Sequence, residues 1–263
     1  MNKIQARPWR SVEELVEIGF RRSRVVMMNE VHSGFLRCIR TRRIGVKILP
    51  TAHQEGVHYL AMEALYSSFA EEVNRTRQLP RPRAASAEQE SGYLDQPDMR
   101  MLIQNALDLG WTLVPYEPDA LVPSHLSHNK QIEWREEMQA RNLIAALATF
   151  PSDTKLLVWC GNNHHTKAIV PSRTDESDES WALMGYHFRE LSGIDPFVID
   201  QGRTVRFPDL PRRQAMENWI NEIAPTLVTF GGTAGFLSEE APACFRVLEG
   251  EDAYFISLDN EMR

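Results

Sequence analysis

Apolar and polar positions alternate along the chain between two periods, one of short buried strands and one of amphipathic helices. Ser11-Val-Glu-Glu14 has the form of a helix-starting capping box. Val12, Leu15, Val16 and Phe20 follow at helical spacing, so a helix is predicted over 12–22. The run 24–28 is uniformly apolar after its arginine and too short for a helix, and it reads as a buried strand. A helix is expected over about 33–43. A second helical segment is expected over 47–55, with Pro50 near its start and Gly56 as its stop. Strands are expected at 57–62, 111–116, 155–160, 196–200 and 253–258. Helices are expected at 64–75, from Pro97 to Gly110, and at 128–149, 181–192 and 212–223. The helix after Pro97 carries Met99, Leu102, Ile103 and Ala106 on one face.

Strand and helix in alternation imply a layered α/β/α fold with a largely parallel central sheet. The segment 76–92 holds two prolines and no periodic apolar face. It reads as a flexible loop inside a single domain spanning 1–263, because the same rhythm resumes after it. Such a loop beside a cleft is either a lid or an insertion without a role. Loop 171–180 is acidic and expected to be exposed.

Composition narrows the function classes. The 263 residues carry a net charge of −7, which argues against a nucleic-acid partner. Residues 1–50 nevertheless hold eleven Lys/Arg against four Glu, and Arg37, Arg40, Arg42 and Arg43 cluster. Their ordinary reading is a solvated helix face that pairs with acidic residues elsewhere; the other is an anion-binding patch. Three widely spaced cysteines with no C-x-x-C pair fit a reducing compartment, and Cys160 reads as a core residue. The amino-terminal stretch lacks an apolar signal core, and no run is long enough to span a membrane. A cytoplasmic location, no membrane partner and a small-molecule substrate are expected. The oligomeric state is not legible. GGTAG at 231–235 reads as a tight turn, since it lacks the lysine of a phosphate-binding loop.

Candidate chemistry lies where the strands end. In a parallel sheet, sites form beyond the carboxyl ends of the strands. The first strand runs into Asn29-Glu30-Val31-His32, the second into Glu63, the third into Glu117 and the fourth into Gly161-Asn-Asn-His164. Glu30 and His32, two residues apart in extended chain, face the same way. A carboxylate beside an imidazole orients it and raises its pKa, and the pair could activate water. Glu63 and His164 approach from neighbouring strands. Glu30, His32, Glu63 and His164 form the candidate catalytic set, with Arg135, Glu136, Glu117 and His187 binding substrate or supporting them. The same four could instead hold a divalent metal. His53, His58, His125, His128 and His165 read as ordinary histidines.

These elements, in this order, resemble the superfamily that joins erythromycin esterases, haem-binding ChaN-like proteins and the TraB/Tiki proteins. Asn29-Glu-Val-His32 matches its first G-x-x-H element except for Asn29 in place of glycine. Gly161-Asn-Asn-His164 matches the second, and Arg135-Glu136 stands where Arg-Asp is usual. The resemblance covers roughly residues 20–200. It implies one of three activities: ester or lactone hydrolysis by histidine-activated water, metal-dependent peptide hydrolysis, or haem binding. The reading preferred here is an esterase-like hydrolase acting on an ester, lactone or amide. In it His32 is the general base, oriented by Glu30 or Glu63, and His164 is the oxyanion stabiliser or acid. The cofactor is open between none, a divalent metal and haem.

Overall fold

The computed structural model describes residues 9–31, 35–82, 92–169, 182–201, 210–229, 231–241 and 250–257, with backbone alone at 35–38, 210–213 and 216. Seven strands form one sheet: β1 (Val25–Glu30), β2 (Val57–Met62), β3 (Thr112–Pro115), β4 (Lys155–Gly161), β5 (Phe197–Asp200), β6 (Thr233–Leu237) and β7 (Ala253–Ser257). Their order is β3-β2-β4-β1-β5-β7-β6. All neighbouring pairs are parallel except β6 against β7. Among the described residues, seven α-helices accompany them: α1 (Val12–Arg22), α2 (Phe35–Gln54), α3 (Ser67–Thr76), α4 (Pro97–Asp108), α5 (His128–Ala148), α6 (Met184–Ser192) and α7 (Leu210–Thr229).

The alternation of side chains along each strand divides the core in two. Val26, Met28, Leu60, Met62 and Trp159 pack on the face covered by α1, α2 and α4. Val25, Met27, Ala61, Val158 and Cys160 pack on the opposite face, under Leu143 and Leu147 of α5 and Phe188 of α6. The layered α/β/α architecture is therefore present, and Cys160 is a core residue with no exposed surface. A third apolar cluster joins Ile223 and Leu227 of α7 to Phe236 of β6 and Ile256 of β7.

Local signals explain most boundaries. The capping box at α1 is formed in full: Glu14 N donates to Ser11 Oγ and Ser11 N donates to Glu14 Oε2. Pro97 opens α4 at its first turn, where no backbone donor is lost. Gly56, Gly110 and Gly193 follow their helices at positive φ.

Two expectations are corrected. The helices expected at 33–43 and 47–55 are joined in one, α2 (Phe35–Gln54), with Pro50 inside it. Gly45, between the two expected segments, is a packing glycine: a Cβ there would lie 2.8 Å from the Trp159 ring. The stretch 231–235 is a turn only at Gly231 and Gly232, which have positive φ. From Thr233 it becomes strand β6, after helix α7.

Both margins of the sheet are met by a single residue. At β3, the Asn74 side chain of α3 accepts from Leu113 N (2.8 Å) and donates to Leu113 O (2.8 Å). At β6, the Arg10 backbone exchanges two hydrogen bonds with Gly235, of 2.8 and 2.6 Å. Of the two long loops, the parts 83–91 and 170–181 lie outside the described residues, so their expected roles are neither placed nor excluded.

Candidate active site

Register brings three carboxylate-bearing strand ends together. Glu30 of β1 lies opposite Gly161 of β4, and Glu63, one residue beyond β2, donates its backbone N–H to Trp159 O of β4. Glu117 follows β3 by two residues. The glutamates are buried, as is Glu136 on α5.

Glu30 is fully enclosed and engaged on both oxygens. Arg42 of α2 grips it bidentately, Nε to Oε2 at 2.9 Å and Nη2 to Oε1 at 2.9 Å. Tyr93 Oη donates to Oε1 at 2.7 Å and Trp159 Nε1 donates to Oε2 at 3.0 Å. Arg42 also donates to the Gln96 side chain. Burial, and then the charges of Glu30 and Glu63, push the Tyr93 hydroxyl well above its usual range, so it stays a donor. Arg42 thus leaves the basic cluster of the sequence and becomes the internal partner of Glu30.

A second network surrounds Arg135 on α5. Its guanidinium bridges Glu117 (Nη2 to Oε1, 2.6 Å) and Glu63 (Nη2 to Oε1, 3.0 Å). Glu117 Oε1 also accepts from Gln139 Nε2 (3.0 Å) and from Ala64 N (3.1 Å). Ala64 sits at φ 64°, a left-handed conformation uncommon for alanine, directly after Glu63. Glu63 Oε2 accepts from Gly161 N at 2.6 Å, which pins the carboxylate to the end of β4.

His164 stands between two acids. Its Nδ1 lies 2.5 Å from Glu136 Oε1 and its Nε2 lies 3.5 Å from Glu63 Oε1, with the side chain 16% exposed. The Glu136 contact is an ion pair. Burial by itself would push the imidazolium pKa down. The charges of Glu136 and Glu63 outweigh that and raise it to about 9, against opposition from Arg135. His164 is therefore cationic at neutral pH. In that form it can act as an acid or stabilise an oxyanion.

Glu136 has a second task. Its Oε2 accepts from Met184 N at 2.8 Å, at the amino end of α6, and Gly185 N donates to His164 O at 2.7 Å. The approach is close enough that a Cβ on Gly185 would fall 2.0 Å from His165 O. Helix α6 is thereby seated on the turn that carries His164.

Of the residues singled out in the sequence, the structure brings Glu63, His164, Glu117, Arg135 and Glu136 into one network. Glu30 belongs to a neighbouring network built on Arg42. No described contact joins His187 to either; its Nε2 is buried without a hydrogen-bond partner among the described residues. His32 lies outside the described residues. Arg42, Tyr93, Trp159 and Gln139 complete the networks and carried no signal beyond residue type.

Two hollows flank the site. One of about 670 Å³ is lined by Ala64, Tyr66, Phe69, Arg81, Tyr93 and Leu94. One of about 320 Å³ is lined by Ser67, Glu117, Pro118, Met138 and Asn142. Both connect to residues of the two networks.

The carboxylates of Glu30 and Glu63 are already engaged and do not fit a divalent metal as they stand. Both oxygens of Glu30 are held by Arg42, and Glu63 is held by Arg135 and Gly161 N.

No protein-family model matches the chain, and no curated protein matches it. Among solved structures, RRSP, a MARTX toxin effector domain from Vibrio vulnificus, is similar at TM-score 0.49 and 13% identity. That match covers 76% of this chain and 37% of RRSP. The type III effector HopBA1 is similar at TM-score 0.44 and 12% identity, over 79% of this chain and 91% of that one. The C-terminal region of Pasteurella multocida toxin is similar at TM-score 0.40 and 14% identity, over 62% and 22%. The chain spans little more than a third of the length of the first of these. At TM-scores below 0.5, none of these likenesses bears on function. Among the described residues, no helix is long and apolar enough to cross a membrane.

Proposed function

We propose that the chain is a hydrolase of the erythromycin-esterase-like kind, in which His164 acts as an imidazolium on an ester, lactone or amide carbonyl. The observation that supports this best is the setting of His164: a cation at neutral pH, held between Glu136 and Glu63 at the end of β4 and still 16% exposed. Water adds to the carbonyl carbon and gives its proton to a base. The carbonyl oxygen gains negative charge and is met by the Nε2–H of His164, a fixed donor in a poorly hydrated site. Collapse of the adduct expels the alcohol or amine, which takes up a proton. The base is the role that the sequence assigns to His32. Arg135, Glu117 and Gln139 hold Glu63, and Glu63 with Glu136 holds His164 charged. The 670 Å³ hollow lies within the size range of small-molecule sites and offers Tyr66, Phe69 and Leu94 to an apolar acyl or alcohol group.

A panel of p-nitrophenyl esters of graded acyl length, with a set of lactones, tests the proposal. His164→Gln should keep the fold and lose roughly 10²–10³-fold in kcat, the cost of one oxyanion donor. Turnover in the wild type that His164→Gln leaves unchanged overturns the role of His164. No turnover across the whole panel speaks against the esterase reading.

A further inference from the structure

We propose that His165, Asp200 and Glu251 form a binding site for one divalent transition-metal ion, separate from the Glu63–His164–Glu136 network. One ligand atom from each residue lies within 4.8 Å of the others, and all three residues are buried. His165 Nε2 and Asp200 Oδ1 are 3.9 Å apart. Two zinc–ligand bonds of about 2.1 Å span at most about 4.2 Å, so the His165–Asp200 pair is within reach of one ion. One imidazole nitrogen and two carboxylate oxygens suit ions from manganese to zinc.

The fold delivers these residues to one place. His165 follows β4, Asp200 ends β5 and Glu251 precedes β7. Their surroundings are built to orient ligands. Asn29 Nδ2 donates to Asp200 Oδ1 (2.8 Å) and to Asn162 O (2.6 Å). Asn29 Oδ1 accepts from Gln201 N (2.7 Å), and Asn29 O accepts from Gln201 Nε2 (2.6 Å). Ligating carboxylates are commonly fixed by such hydrogen bonds. Thr166 Oγ1 lies 3.5 Å from Glu251 Oε1. Gln201 Oε1 is a buried carbonyl oxygen that accepts no hydrogen bond among the described residues, one position from Asp200. It is the kind of oxygen that can serve as a further ligand. The Asn29 that replaces glycine in the first strand-end element has its use here.

Adjacent histidines thus serve different clusters. His164 turns to the acids of β2 and α5, and His165 to those of β5 and β7. A metal at His165 would fasten the turn after β4 to the far half of the sheet while His164 stays free for chemistry.

The test uses the full chain, stripped with chelator, incubated with Zn²⁺ or Mn²⁺ and desalted. One ion per chain should remain, with a melting temperature several degrees above the stripped protein. Asp200→Asn and Glu251→Gln should each lose both effects, and His164→Ala should keep both. Wild type that retains no ion and shows no thermal shift overturns the site. Retention in Asp200→Asn and Glu251→Gln but loss in His164→Ala overturns it as well. If the carboxamide variants do not fold, X-ray absorption on zinc-loaded wild type decides. One histidine with oxygen ligands supports the site, and sulfur or several histidines rule it out.

Discussion

At the scale of single residues, charge placement decides what each group can do. His164 is cationic because Glu136 and Glu63 outweigh burial and Arg135. Glu136→Gln removes the nearer acid, so the imidazole should titrate well below about 9, which histidine-resolved NMR would show; a pKa still near 9 would reassign the effect to Glu63. In turnover, the wild type should lose rate as pH rises through about 9, because the acid form is the active one, and Glu136→Gln should lose it at lower pH. Arg42 and Glu30 form a deeply buried ion pair, with side chains 3% and 0% exposed. Arg42→Met leaves Glu30 charged in the interior and should cost about 3–5 kcal/mol in denaturant unfolding. A cost below about 1 kcal/mol would mean that Tyr93 and Trp159 suffice for Glu30. The strand-end acids and His164 were legible in the sequence because each ends an apolar run. Their partners were not. Arg42 sat among four clustered arginines, and Tyr93 reaches Glu30 across 63 residues of chain. Nothing local marks such a pair.

At the scale of elements, helices hold the site through a few close approaches. Gly45 lets α2 lie on Trp159, whose indole N–H reaches Glu30. Gly45→Ala gains up to about 1 kcal/mol of helix propensity. The Cβ then meets a buried ring at 2.8 Å, an overpacking cost of roughly 1–3 kcal/mol. Net destabilisation is expected in urea unfolding, and a stabilised variant would show that Trp159 has room to move. The sequence alone splits α2 in two, with Pro50 read as lying near the start of a second segment. Only the ring opposite Gly45 shows that this glycine is kept for packing. Strand β6 was hidden for a related reason. Its Ala234-Gly235 pair has little β-propensity, and it is a strand because β7 and Arg10 supply its hydrogen bonds.

At the scale of the whole molecule, the layered parallel sheet follows from the strand–helix alternation, and so was legible throughout. Its strand order depends on long-range pairing and was not. The stability of the whole should carry the signature of His164. The folded pKa of about 9 exceeds the ordinary 6.5, so the contribution is complete below about pH 6.5 and disappears as pH rises through about 9. Thermal melts of wild type and His164→Gln should therefore converge across that window; parallel curves would remove His164 from the balance. The two clasped margins bear on how copies of the chain meet in solution. A bare strand edge is a template for another chain, and an amide side chain laid over it denies that template. Asn74→Ala would uncover Leu113 N–H and C=O at β3 while Arg10 still guards β6. Such a molecule presents one adhesive side and one inert side. It should pair edge to edge and stop at two copies, where opening both margins would let a filament grow.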